Sequence, residues 1–114
     1  MTEGMKPSLL HKLGLSRRAG VAEIGQDRIR TALSAGKGPL LLFLSNDASS
    51  AVKRRLLSAA SKRGDRIVHL DSVSRWELGA ALGLASAQVV GLPLGSHFAE
   101  MLLEDLRREG DVIE

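Results

Sequence analysis

The segment Leu40-Leu41-Leu42-Phe43-Leu44 decides the fold class of this chain. It is an unbroken apolar run that follows Pro39 and is closed by Asn46-Asp47, two residues typical of turns. A short apolar run bounded in this way predicts a strand that is covered on both faces. We therefore expect this segment to be a central strand of the domain.

The segments on either side alternate between helical and strand-like patterns, which predicts an α/β domain. Helices are expected from Pro7 to a stop at Gly20, from Gly25 to Gly36, from a cap at Asp47 or Ser49 to the turn at Gly64, from a capping box of Ser74 and Glu77 to Gly83, and from Ser96 to Gly110. Short strands are expected at residues 21–24, 66–70 and 88–92. No repeat or linker interrupts the pattern, so residues 1–114 are expected to form a single domain with an ordered core at about 7–109.

The helix after the central strand has a basic face and an apolar face. Its apolar residues stand at core spacing: Val52, Leu56, Leu57 and Ala60. Lys53, Arg54 and Arg55 fall on the other face, where we interpret them as a solvated surface.

The composition excludes several classes of site. The chain has 114 residues and no cysteine, so disulfides, thiolate zinc sites and iron–sulfur clusters are excluded. The histidines His11, His69 and His97 are dispersed, and we expect neither a metal nor a cofactor. The apolar run at 39–44 is far shorter than the roughly 20 residues that cross a bilayer, and the first residues lack the apolar core of a signal peptide. A cytoplasmic protein without membrane contact is expected.

The charge balance favours a polyanionic partner. Lys and Arg number 16 against 13 Asp and Glu, and the isoelectric point is about 9.8. The aromatic residues are only Phe43, Trp76 and Phe98, too few for a platform on which several bases stack. A nucleic acid would therefore have to be held by other contacts.

The basic residues suggest where those contacts lie. Arg17 and Arg18 end the first helix, Arg28 and Arg30 belong to the second, and Lys37 precedes the central strand. In a helix–strand sandwich, the start of the second helix can meet the loops after the second strand and before the last strand at one edge.

Enzyme motifs are scarce. Ser45, Asp47 and His69 include the residue types of a nucleophilic triad, but no G-x-S-x-G elbow surrounds the serine. Gly36-Lys37-Gly38 lacks the spacing of a phosphate-binding loop. We therefore expect a protein that is not an enzyme.

Six blocks of the sequence together resemble the kink-turn-binding ribosomal protein superfamily (the L-seven-Ae type). They are LGLSRRAG at 13–20, GQDRI at 25–29, AGK at 35–37, LLLFL at 40–44, NDAS at 46–49 and SRWELGAALG at 74–83. The last block matches the S-x-x-E-L-G-x-A-x-G run of the family. The first is similar to the bacterial YlxQ-like branch, whose domain in some proteins accompanies a YlxR-like nucleic-acid-binding domain.

The resemblance implies a three-layer α/β/α sandwich with a mixed four-stranded sheet, and RNA as the ligand. Kink-turn binders open the second helix with G-x-N-E, whereas this chain has Asp27 and Arg28 after Gly25-Gln26 and Thr31 in place of a lysine. We therefore expect RNA binding without kink-turn specificity. The expected RNA-binding residues are Arg17, Arg18, Gly25, Gln26, Asp27, Arg28, Arg30, Lys37, Asn46, Asp47, Leu84, Ala85 and Ser86.

Three functions stay open at this point. The first is a non-catalytic RNA-binding module associated with the ribosome or the transcription machinery. The second is a protein-interaction or regulatory domain that has lost its affinity for RNA. The third is an enzyme for a small molecule, which would need a closed pocket with a perturbed acid or base.

Overall fold

The computed structural model describes residues 5–36, 38–60 and 64–109, and these residues form five helices and four strands. In chain order the elements are α1 (Met5–Arg18), β1 (Glu23–Ile24), α2 (Gln26–Ser34), β2 (Leu40–Leu44), α3 (Ser50–Ala60), β3 (Arg66–His69), α4 (Arg75–Ala81), β4 (Val89–Pro93) and α5 (His97–Glu109). The expected α/β class is confirmed.

The four strands form one mixed sheet in the order β1-β4-β2-β3. β4 is antiparallel to both of its neighbours, and β3 is parallel to β2. β1, β2 and β3 therefore run in one direction and β4 in the other. All five residues of β2 are buried, as the apolar run predicts for a central strand.

The alternation of side chains along β2 divides the core into two layers. Leu41 and Phe43 pack with α1, α4 and α5 on one face of the sheet. Leu40, Leu42 and Leu44 pack with α2 and α3 on the other face. This is the three-layer α/β/α arrangement that the resemblance implies.

Several expected details differ in the structure. β1 contains two residues instead of the four expected at 21–24, and β4 extends to Pro93, which pairs with Leu40 at the end of the ladder. Leu57 is 39% exposed, so the expectation that it joins the core is wrong. α3 is capped by Ser49, whose hydroxyl accepts from the Val52 amide at 3.2 Å, and not by Asp47. The side chain of Ala60 lies outside the described residues.

The capping box of α4 is confirmed. The Ser74 hydroxyl accepts from the Glu77 amide, and the Glu77 carboxylate accepts from the Ser74 amide, each at 3.2 Å. The Lys6 ammonium lies 2.6 Å from Glu77 Oε2. Hydrogen bonding to Lys6, followed by the Ser74 amide, lowers the pKa of Glu77 despite some desolvation. None of the described helices has the length and apolar character needed to cross a membrane.

Candidate nucleic-acid interface

The connections between strands and helices meet at one edge of the sheet. Because β4 runs against the other strands, its beginning lies at the edge where β1, β2 and β3 end. Backbone hydrogen bonds join these connections: the Gly25 amide donates to Val89 O at 3.2 Å, and the Ser45 amide to Gln88 O at 2.9 Å. The structure thus brings the start of α2 beside the loops that follow β2 and precede β4.

An open groove of about 490 Å³ lies at this edge, between the start of α2 and the segment that leads into β4. We call it the edge groove. Its lining is formed by residues 24–28, Val52 and residues 86–89. Of the expected RNA-binding residues, it brings together Gly25, Gln26, Asp27, Arg28 and Ser86.

Gly25 shapes the start of α2. Its φ of 91° lies in the left-handed region that favours glycine, and its amide turns back onto β4. As the N-cap of α2 it carries no side chain to accept from the first amides of the helix. The partial positive charge of a helix N-terminus attracts an anion, and exposed Arg28 adds a full positive charge. The carboxylate of Asp27 is also exposed, and its negative charge repels an anion at this position.

The opposite wall of the edge groove is held against α4. The Ala87 amide donates to Arg75 O at 2.9 Å, and the Leu84 amide donates to Gly79 O at 2.8 Å. A Cβ on Gly79 would lie 2.4 Å from the Cα of Ser86, so this close approach requires glycine. Ser86 itself is exposed.

The three residues of the expected Leu84-Ala85-Ser86 loop differ in exposure. Leu84 is half-buried and packs on the core layer of α1, α4 and α5, whereas Ala85 and Ser86 are exposed. The loop therefore offers a ligand mainly Ala85 and Ser86.

Two glutamines line the edge groove, and Arg55 of α3 contacts one of them. The side-chain carbonyl of Gln88 accepts from the Ser49 amide at 2.8 Å, which fastens the loop after β2. Arg55 of α3 donates from Nη1 to Gln26 Oε1 at 3.3 Å. Sequence reasoning missed Gln88 and Arg55. The run Lys53-Arg54-Arg55 was the sequence feature that could have indicated Arg55. Its contact with Gln26 depends on the packing of α3 against α2.

Asn46 and Asp47 are used within the fold. The Asn46 side chain donates to Asp71 O at 3.2 Å. Asp47 accepts from the Arg75 amide at 2.9 Å, and its Oδ2 lies 3.3 Å from Arg75 Nε. Desolvation raises the pKa of Asp47, but the nearby Ser45 hydroxyl and the Arg75 amide and guanidinium outweigh it and lower the pKa. Both residues fasten the loop after β2 to the loop and helix that follow β3.

Three other expected basic residues, Arg17, Arg18 and Arg30, do not line the edge groove. Arg17 donates from Nη1 to Leu82 O at 2.5 Å, at the end of α4, and Arg17 and Arg18 line a separate depression there. Arg30 lies between α2 and α3 beside Arg54 and Arg55. Lys37 lies outside the described residues.

The described residues contain no group of three or more His, Cys, Asp or Glu side chains arranged to hold a metal ion. The edge groove is open to solvent and has hydrogen-bonding and charged walls. Chemically, this arrangement can hold an anionic ligand through a helix N-terminus, a guanidinium and polar side chains.

Comparison with family models and with curated proteins finds no match to this chain. Solved structures do match. A Bacillus halodurans protein of unknown function is similar with a TM-score of 0.76 and 26% identity, over 87% of this chain and 96% of that one. A Giardia lamblia 15.5kD RNA binding protein is similar with a TM-score of 0.72 and 16% identity, over 95% of this chain and 89% of that one. The chain thus shares the fold of these two proteins along nearly its whole length.

Proposed function

We propose that this protein is a non-catalytic RNA-binding module that holds structured RNA at the edge groove. The observation that carries the proposal is the groove itself, which places the glycine-capped start of α2 and Arg28 opposite Ser86 and Gln88. The Giardia protein of the same fold binds RNA, which supports the proposal and agrees with the resemblance to the kink-turn-binding superfamily.

In this proposal the two walls of the groove have different tasks. Arg28, Arg55 and the first amides of α2 contact phosphates, which carry most of the affinity and fix the orientation of the RNA. Ser86 and Gln88 offer a hydroxyl and an amide that can bond to sugars or base edges. The exposed carboxylate of Asp27 repels phosphate, and it therefore limits where the RNA backbone can lie in the groove.

The RNA would be selected by shape and not by the kink-turn motif. The family reads the sheared pairs of the kink with Asn and Glu, and Asp27 and Arg28 stand at those two positions. We place the protein in the YlxQ-like branch, in the cytoplasm, with the ribosome or the transcription machinery as its setting. A YlxR-like domain is a candidate companion.

The test is equilibrium binding to an RNA hairpin with an internal loop, measured by fluorescence anisotropy across a series of salt concentrations. If Arg28 and Arg55 each neutralise one phosphate, the slope of log K against log salt should lie between about −1.4 and −1.8. Arg28→Gln should make the slope shallower by about one unit. Arg66→Gln is the matched control, because exposed Arg66 begins β3 at the opposite edge of the sheet. Equal effects of the two substitutions would place the RNA elsewhere.

A second candidate function is a protein-interaction domain, and exposed Trp76 is the observation that favours it. Trp76 lies in the first turn of α4 and is 63% exposed. Because tryptophan is enriched at protein interfaces, this exposure favours a protein partner. Crosslinking in cells separates the candidates. Recovery of RNA by the wild type, reduced in Arg28→Gln and retained in Trp76→Ala, supports RNA binding. Recovery of no RNA supports the interaction domain.

A further inference from the structure

A second basic groove runs between α2 and α3. It has a volume of about 590 Å³ and is lined by Arg30, Ala51, Arg54, Arg55, Ser58 and Ala59. We call it the arginine groove. Its three guanidinium groups come from two helices, so the concentration of charge is a product of the fold and not of one run in the sequence.

The arginine groove has little internal compensation of its charge. Within the part of the chain that the structure describes, no carboxylate lines it, and neither Arg30 nor Arg54 forms an ion pair. Arg55 donates to a neutral amide oxygen of Gln26. Asp27 borders Arg30 only in a neighbouring depression. Like charges concentrated in this way repel one another and produce a positive potential that attracts a polyanion.

The two grooves lie next to each other along the packed helices α2 and α3. Val52 lines the edge groove and its neighbour Ala51 lines the arginine groove. Arg55 joins them, because it lines the arginine groove and bonds to Gln26 in the lining of the edge groove. From Gln26 to Arg30 is about one helical turn, or about 5–6 Å. A chain of phosphates that leaves the edge groove along α2 would therefore reach Arg30 within about two nucleotides.

The shape and the chemistry of the arginine groove point to the backbone of a polymer. Guanidinium groups match phosphate in a two-pronged geometry, and the small residues Ala51 and Ala59 belong to the same lining. The groove is open along its length, unlike the enclosed pockets that bury most of a small ligand. We propose that the arginine groove is a second contact for the RNA backbone, which holds the arm of the RNA that extends beyond the edge groove.

This inference rests on the proposed function, and it makes RNA length the variable to test. Two hairpins should share one internal loop, with a flanking stem of the same sequence that is short in one and about four base pairs longer in the other. The variant is Arg30→Gln/Arg54→Gln, which leaves Arg55 and its bond to Gln26 in place. The matched control is Arg66→Gln/Arg107→Gln, which removes the same charge from exposed positions on β3 and α5.

We expect the wild type to bind the longer hairpin more tightly and with a steeper salt slope. The variant should lose both advantages: its slope on the longer hairpin should be shallower by about 1.4–1.8, and its affinity at low salt lower by roughly 10-fold or more. Its binding to the short hairpin should match that of the control. Arg30→Lys/Arg54→Lys keeps the charges and should keep the slope.

Three results would overturn the inference: equal losses in variant and control, equal losses on both hairpins, or no loss on the longer one. In each case the effect of Arg28→Gln on the short hairpin still reports on the edge groove. The two proposals can therefore fail separately.

Discussion

Replacement of Gly79 by alanine should damage the edge groove from a position outside its lining. The added Cβ would lie 2.4 Å from the Cα of Ser86 and 2.7 Å from its N and C atoms, where ordinary contacts measure 3.4–4 Å. The segment must therefore shift by about 1 Å, while the bonds from Leu84 to Gly79 and from Ala87 to Arg75 resist the shift. Overpacking of this kind lowers the free energy of unfolding by about 1–3 kcal/mol. The better helix propensity of alanine raises it by at most about 1 kcal/mol.

We expect Gly79→Ala to lower the free energy of unfolding by about 1–2 kcal/mol, or Tm by roughly 4–15 °C. Its affinity for the structured hairpin should fall after correction for the unfolded fraction, because Ser86 leaves its position in the groove. Gly95→Ala is the matched control: no atom lies within 4 Å of its added Cβ, and its φ is not positive. Thermal denaturation and anisotropy measure both effects. A Gly79→Ala variant with wild-type stability and affinity would show that the contact between α4 and Ser86 does not shape the groove.

Three further predictions concern the capping box and the start of α2. Ser74→Ala should lower stability by about 1 kcal/mol and leave RNA affinity unchanged after correction for folding; loss of binding at an unchanged Tm would contradict this. The pKa of Glu77 is lowered in the folded state, so its contribution is complete above the ordinary value of 4.5 and is lost as the pH falls through the folded-state pKa. Glu77→Gln should therefore lower Tm at neutral pH, with a difference that shrinks in acid in pH-dependent denaturation; a constant difference would argue against this. Asp27→Asn/Arg28→Glu restores the family's Asn-Glu pair. It should partly raise the preference for a kink-turn RNA over a duplex and weaken nonspecific binding. Competition binding measures this preference, and a wild type that already prefers the kink-turn would contradict the prediction.

The fold was predictable because its signals are local. The apolar run at β2 predicts a strand buried on both faces, and Ser74 and Glu77 predict the exact start of α4. Local patterns also have limits. Asp47 is a good helix cap by residue type, but its carboxylate accepts from the Arg75 amide. Ser49 caps α3 instead.

The candidate site was only partly predictable, because it depends on contacts between distant segments. The meeting of α2 with the loop before β4 follows from strand order, and the sequence indicated it. The position of Arg55 does not follow in this way, because it depends on how α3 is rotated against α2. Leu57 of α3 is exposed, and Arg54 and Arg55, which are exposed as a solvated surface predicts, also line the arginine groove.

The most direct test of the central claim is amide chemical-shift mapping by NMR while the isotope-labelled protein is titrated with the structured hairpin. If RNA binds at the edge groove, the largest shifts should occur at residues 25–28 and 84–88 and should weaken as salt is added, and Arg66 at the opposite edge should be unaffected. Shifts centred on Trp76 or on α5, or none at RNA concentrations that saturate the anisotropy signal, would contradict the claim.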